Sequence, residues 1–239
     1  MTCKSLLGLL AASLVSCKAH VPLPEQPAEL LPDFSLEPYQ NAPAPNLYRI
    51  DSERSLVEII VRRGGKLAAF GHDHVVSSGP LDGFVIRDPD TLENSQADLR
   101  LDLTSLSVDE PELREQLELD TQPTKADIEK TAENMQTKVL QTQTWREIHL
   151  HIDAVDGTPE LVQAELTIML HGEVQKLPIT IKIESPNPET LLAHGEFSIL
   201  QSDYGIEPFS VLGGGLQVKN EVEVRYRMEA QRFAWPGSH

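Results

Sequence analysis

From residue 57 to the end of the chain, apolar and polar side chains alternate with a period of two. Val57, Ile59 and Val61 alternate with Glu58, Ile60 and Arg62, and Leu99, Leu101 and Leu103 with Arg100, Asp102 and Thr104. Ile148, Leu150 and Ile152 stand against His149 and His151, Leu166, Ile168 and Leu170 against Glu165, Thr167 and Met169, and Ile179, Ile181 and Ile183 against Thr180, Lys182 and Glu184. In the last run Val218, Val222, Val224, Tyr226 and Met228 oppose Lys219, Glu221, Glu223, Arg225 and Arg227. Successive side chains of a strand point to opposite faces, so each run predicts a strand with one buried and one wet face, as antiparallel pairing produces. The links are short: residues 171–176 have hairpin length, Asp156-Gly157 is a turn dipeptide, and Gly213-Gly214-Gly215 marks a bend or bulge. Many strands with one shared inner face predict an all-β closed antiparallel barrel or a sandwich, and closure would also remove the exposed edges.

One region breaks the alternation. Residues 109–120, with Glu110, Pro111 and Glu112 near the start, predict a short helix carrying acids where its dipole favours them. Residues 125–140 place Ile128, Met135 and Val139 on one helical face with Ala132 between them. This helical insertion is expected to pack over a barrel or cap one mouth.

The chain opens with Lys4, an apolar run from Leu6 to Val15, and Cys17, so residues 1–16 predict an export signal too short to span a bilayer. Leu14-Val15-Ser16-Cys17 resembles a bacterial lipobox, in which cleavage before the cysteine leaves that cysteine to carry the lipid. Cys17 is thus the candidate lipidation site, and its lipid would anchor the protein to a membrane without a spanning helix. The other cysteine, Cys3, would leave with the signal, so a mature chain has no disulfide and no thiolate chemistry. Lys18 resembles the following residue of lipoproteins sent to the outer membrane, so the expected location is the periplasm, at the outer rather than the inner membrane. Residues 17–46 hold seven prolines and predict an extended spacer, residues 47–232 one domain, and residues 233–239 a tail. The net charge of −17, without a basic stripe, argues against a nucleic-acid partner or an anionic-membrane surface, and the 5% aromatic share argues against base stacking.

The most unusual polar residues lie in residues 64–79, GGKLAAFGHDHVVSSG. If this stretch is extended, Phe70, His72, His74 and Val76 share a face, putting two imidazoles among apolar side chains. Three readings stay open for His72 and His74: hydrogen-bonded barrel residues with no chemical task, a site for the polar end of an amphiphile, or a metal pair. A metal would need a third ligand, for which His171, His194 and Asp203 are candidates. His149 and His151 fall on the outer parity of their strand. Ser77 and Ser78 form no nucleophile elbow, and the chain has no His-Glu-x-x-His, phosphate loop or dinucleotide fingerprint, so no enzyme activity is read from it. Phe70, Phe84, Phe197, Ile199 and Phe209 are candidate interior residues, with Phe70, Phe84 and Phe209 joining the two histidines as the candidate ligand site.

Taken in order, Tyr48-Arg-Ile-Asp51, Gly79-Pro-Leu-Asp-Gly83, Leu101-Asp-Leu-Thr-Ser-Leu106, Trp145-Arg-Glu-Ile-His149, Leu166-Thr-Ile-Met-Leu-His-Gly172 with Leu177-Pro-Ile-Thr180, and Gln201-Ser-Asp-Tyr-Gly-Ile206 resemble the YceI-like family. Gly71-His-Asp-His74 and residues 207–214 resemble a subset of it. The resemblance implies an extended, lipocalin-like antiparallel barrel enclosing an apolar cavity for an isoprenoid or acyl lipid, in an exported protein. The expected function is sequestering or carrying such an amphiphile; the alternatives are a metal-binding protein or metal-dependent enzyme using His72 and His74, and a β-domain that binds another envelope protein.

Overall fold

The computed structural model describes residues 35–88 and 90–236, so the expected export signal, Cys17, most of the expected spacer and the last three residues lie outside the described residues. In chain order the strands are β1 (Leu47–Ile50), β2 (Leu56–Val61), β3 (Arg63–Gly64), β4 (His74–Ser77), β5 (Leu81–Ile86), β6 (Gln96–Asp102), β7 (Ser107–Val108), β8 (Glu147–Thr158), β9 (Leu161–Leu170), β10 (Glu173–Asn187), β11 (Thr190–Leu200), β12 (Ser210–Val211), β13 (Leu216–Val218) and β14 (Glu221–Arg232). The helices are α1 (Glu37–Asn41), α2 (Pro111–Gln116) and α3 (Lys125–Asn134), the last continued by a π turn over Met135–Val139.

Strands β1, β5, β6, β8, β9, β10, β11 and β14 pair antiparallel in that order, and β1 pairs back onto β14, closing an eight-stranded barrel. Three strands of the wall are broken midway. β1 and β2 follow one another along the same edge of β14, with Tyr48 opposite Arg232 and Ile59 opposite Val224. β4 pairs with β2 as β5 pairs with β1, and β7 pairs with β4 as β6 pairs with β5. β8 pairs with β6 and β9 but not with β7. The chain leaves the sheet at this gap, and the helical insertion fills it: Met135, Val139 and Leu140 complete the inner wall. A reciprocal capping box starts α3, where the Thr124 hydroxyl accepts from the Asp127 N–H and the Asp127 carboxylate from the Thr124 N–H.

The parity read from the sequence places the inner face on nearly every long strand. The β9–β10 hairpin turns on His171 and Gly172, both at positive φ, the two-residue turn whose twist suits a hairpin. Asp156-Gly157 is instead part of β8, at an irregularity in its pairing with β9, and the turn falls at Pro159-Glu160. A Cβ at Gly157 would lie 2.2 Å from the Leu161 carbonyl oxygen, so glycine serves there for close approach within the sheet.

Residues 36–46 do not behave as a spacer. Tyr39 on α1 is fully buried, packing with Leu47 and Phe84 on the outside of the barrel, and Phe233 and Trp235 of the expected tail close over the same spot. Prolines exclude long regular structure but do not prevent one aromatic from docking. Polar contacts lock this clasp: the Tyr39 hydroxyl donates to Asp98 at 2.5 Å, Asp98 also takes His151 Nδ1 at 2.8 Å, and Trp235 Nε1 donates to the Tyr39 carbonyl at 2.9 Å. The hydrogen bond to Asp98 outweighs burial and raises the His151 pKa above its ordinary 6.5. A raised histidine stabilises the fold fully below its unfolded pKa and stops doing so as pH rises through the folded value. His151→Phe is therefore expected to destabilise the protein more at pH 5.5 than at pH 8.5 in urea unfolding. An equal loss at both pH values would refute the protonated pairing.

Candidate ligand site

The barrel is hollow. Inward-facing Val57, Ile59 and Val61 keep part of their surface accessible, whereas Ile60 and Val75, paired on the outer face where α2 packs, have none. Ile148, Leu150 and Ile152 repeat the pattern, pointing inward yet only partly covered. A filled core would bury such residues completely; here they border a cavity of about 290 Å³. That is the lower end of the range of small-molecule sites, about 300–1,000 Å³.

Its wall is aliphatic almost throughout. Arg87, Ser95 and Gln96 edge it toward one end of the barrel and Gln201 toward the other, and Tyr226 lies between. The Tyr226 ring crosses the inner wall above Gly195, where a Cβ would lie 2.5 Å from the tyrosine oxygen. This hydroxyl is buried and has no hydrogen-bond partner among the described residues. Burial pushes its pKa up to about 12, so it remains a neutral donor. Sequence reasoning put Tyr226 on the inner face by parity, yet gave it no role. The signal was present: it is the polar-tipped member of an inward series of Val222, Val224 and Met228.

His74 lies opposite Val61, which lines the cavity, so the histidine continues the inner face just past the apolar wall. Its Nδ1 donates to Asp109 Oδ2 at 2.6 Å. Asp109 is fully buried and receives two further bonds, from Arg114 at 2.5 Å and from the Val75 N–H at 3.1 Å. Burial alone would raise this carboxyl; the bonds from His74, Val75 and Arg114 outweigh it and hold the pKa below the ordinary value. The arrangement fixes the His74 ring and leaves Nε2 for another partner. His72 stands edge-on to His74, ring centroids 6.1 Å apart, and its Nδ1 is buried without a hydrogen-bond partner among the described residues. Asp73 points elsewhere, toward the Arg63 N–H at 2.9 Å and the Arg62 guanidinium at 3.3 Å.

The three phenylalanines of the candidate ligand site, Phe70, Phe84 and Phe209, are not among the residues lining the cavity. Residues 64–79 are not one strand: a 3-10 turn covers Ala68–Phe70, and β4 starts only at His74, which leaves Phe70 80% exposed. Phe84 is buried on the outer face under the clasp, because Val85 takes the inward parity of β5. Phe209 precedes β12 and lies under the Lys138 ammonium, 5.5 Å from its ring centroid. Phe197 and Ile199 do line the cavity. His149 and His151 face outward as expected, paired with Glu147 and with Asp98 and Asp153. The proposed third metal ligands are not brought to the histidine pair. His171 is in the β9–β10 turn against Trp145, His194 is opposite Lys182 on the outer face, and Asp203 is exposed in a turn. Among the described residues no three His, Cys, Asp or Glu side chains are grouped to hold a metal ion.

A closed eight-stranded antiparallel barrel with an apolar interior and a helical insertion in its wall defines a lipocalin-like architecture. The chain belongs to the family of the YceI-like domain, whose model matches residues 48–230. A polyisoprenoid binding domain from Saccharophagus degradans, implicated in plant cell wall breakdown, superimposes with a TM-score of 0.55 at 14% identity, covering 78% of this chain and 98% of that one. Burkholderia cenocepacia BcnA superimposes with a TM-score of 0.58 at 11% identity, covering 76% and 99%. No curated protein sequence matches the chain.

Proposed function

We propose that the protein binds an amphiphile with an isoprenoid or acyl tail in the barrel, and sequesters or carries it in the periplasm. The observation that carries this reading is the hollow, nearly all-aliphatic interior. Such a space is dry, and its lining lacks contacts that a hydrocarbon chain would supply. Each methylene transferred into it contributes about 0.8 kcal/mol, so tail burial alone gives substantial affinity. The polyisoprenoid-binding relative of the same fold supports the same ligand class. The lipobox-like segment supports export and a membrane anchor at Cys17, at the outer membrane.

The polar end of the ligand belongs beside His72 and His74, next to the last apolar side chain of β2, with Tyr226 meeting any oxygen deeper along the tail. Native mass spectrometry of the full chain, purified without detergent, tests the reading: an added mass that fragments as a lipid is expected, and a wild-type protein that neither retains nor takes up an amphiphile rejects it. His72→Ala/His74→Ala should weaken retention of the polar-headed ligand while leaving uptake of a plain hydrocarbon unchanged. Tyr226→Phe should weaken binding of a ligand with an oxygen along its chain by about tenfold, the worth of one neutral hydrogen bond, and spare its deoxygenated analogue.

A further inference from the structure

Beside the histidines, at the same end of the barrel, β3, β13 and β12 form a small separate sheet carrying two loops, residues 65–70 and 211–215. The loops hold each other: the Leu67 N–H donates to the Gly215 carbonyl at 2.7 Å, and a Cβ on Gly65 would lie 2.5 Å from that same oxygen. Their outer surface is apolar. Phe70 is 80% exposed and Leu212 74%, the two highest values among the large apolar residues described, with Leu67 and Val211 beside them. Leu212 also has a φ of 54°, a left-handed backbone that disfavours a branched side chain. Neither packing nor backbone preference accounts for a leucine there, and such outliers collect where a site has a task.

The two segments that build this tip carry a charge opposite to that of the chain as a whole, and the carboxylates near it come from neighbouring segments. Residues 62–71 and 208–219 carry Arg62, Arg63, Lys66 and Lys219 and no carboxylate, in a protein with 20 Lys and Arg against 37 Asp and Glu. Arg62 and Arg63 are paired with Asp73, Glu223 and Asp120, whereas Lys66 and Lys219 form no ion pair among the described residues. Lys138 adds a cation over Phe209 at the base. The sequence alone had no basic stripe because these cations come from three separate segments.

We propose that this tip docks on an anionic lipid bilayer, with Phe70 and Leu212 entering the interface and the lysines meeting the headgroups. Apolar side chains rimmed by lysine are the elements of interfacial binding, and the acidic remainder of the chain would be repelled by the same surface, so the protein would stand on this end. Docking there places the histidine end of the barrel at the membrane, and it does not depend on which molecule the cavity holds.

The test uses the full chain with Cys3→Ser/Cys17→Ser, which removes the native thiols and any lipid attachment. A single thiol is introduced as Leu212→Cys or, near the opposite end of the barrel, as Val155→Cys, and labelled with an environment-sensitive fluorophore. With vesicles of phosphatidylglycerol and phosphatidylcholine the label at residue 212 is expected to shift to the blue, with the shift suppressed by salt and reduced by Phe70→Ser, while the label at 155 stays unchanged. No shift at 212, or equal shifts at both positions, overturns the proposal. So does a shift at 212 that grows with protein concentration in the absence of vesicles, since that assigns the tip to a second copy of the chain.

Discussion

Arg114→Met is expected to destabilise the protein by about 3–5 kcal/mol, the usual result of removing one partner of a buried ion pair. Asp109 is fully buried and Arg114 nearly so, and the same guanidinium donates to the carbonyls of Asp73 and Thr121, tying α2 to the start of β4 and to the segment leading into α3. Methionine restores the apolar bulk but leaves an anion inside the fold with only His74 and one backbone N–H. The pH dependence separates this from a simple packing loss. The native Asp109 pKa lies below its ordinary value, so its contribution is present above the unfolded pKa and disappears as pH falls through the folded one. In the variant the carboxyl should protonate more readily, and the gap to wild type should narrow toward acid. Urea unfolding at pH 7 and pH 4 measures it. A gap of constant size would mean that Arg114 acts only through its bonds to the two carbonyls.

His74, Asp109 and Arg114 also mark the limit of what the sequence discloses. The barrel was legible because an inner face imposes period two on every strand, and Leu166-Ile168-Leu170 or Val222-Val224-Tyr226 are hard to place otherwise. The insertion was legible because Met135 and Val139 recur at helical spacing. The partner of His74 lies 35 residues away, at a position in the left-handed region (Asp109 φ 57°), and no local pattern relates the two. Phe70 and Phe84 misled for a related reason. An aromatic in a strand-like context reads as interior, but Phe70 follows the bend at Gly65, where φ is 86°, into a 3-10 turn, and Phe84 is covered from outside by Tyr39 and Trp235, which come from opposite ends of the chain. Sequence alternation states that a face is apolar; it does not say whether a cavity, a helix or a clasp covers it.

Hollowness itself is the property most in need of a direct perturbation, and Ala193→Phe supplies one. Ala193 lines the cavity from β11, between Ile183 and Met228 across the sheet, and is only partly covered, so a larger side chain there has space in front of it. A phenyl ring takes the place of about five ligand methylenes, which at about 0.8 kcal/mol each is about 4 kcal/mol of lost burial. That corresponds to roughly a thousandfold weaker binding of a chain-like probe such as farnesol. Thermal stability should hold or rise, because filling a void adds dispersion contacts that the empty wall lacks. The two readouts together distinguish the explanations: weaker binding with an intact fold places the ligand in the barrel, whereas unchanged binding would move it to an outer surface. If Ala193→Phe fails to fold, Ala154→Phe on β8 probes the same space from across the barrel, and its effect on farnesol affinity should have the same sign.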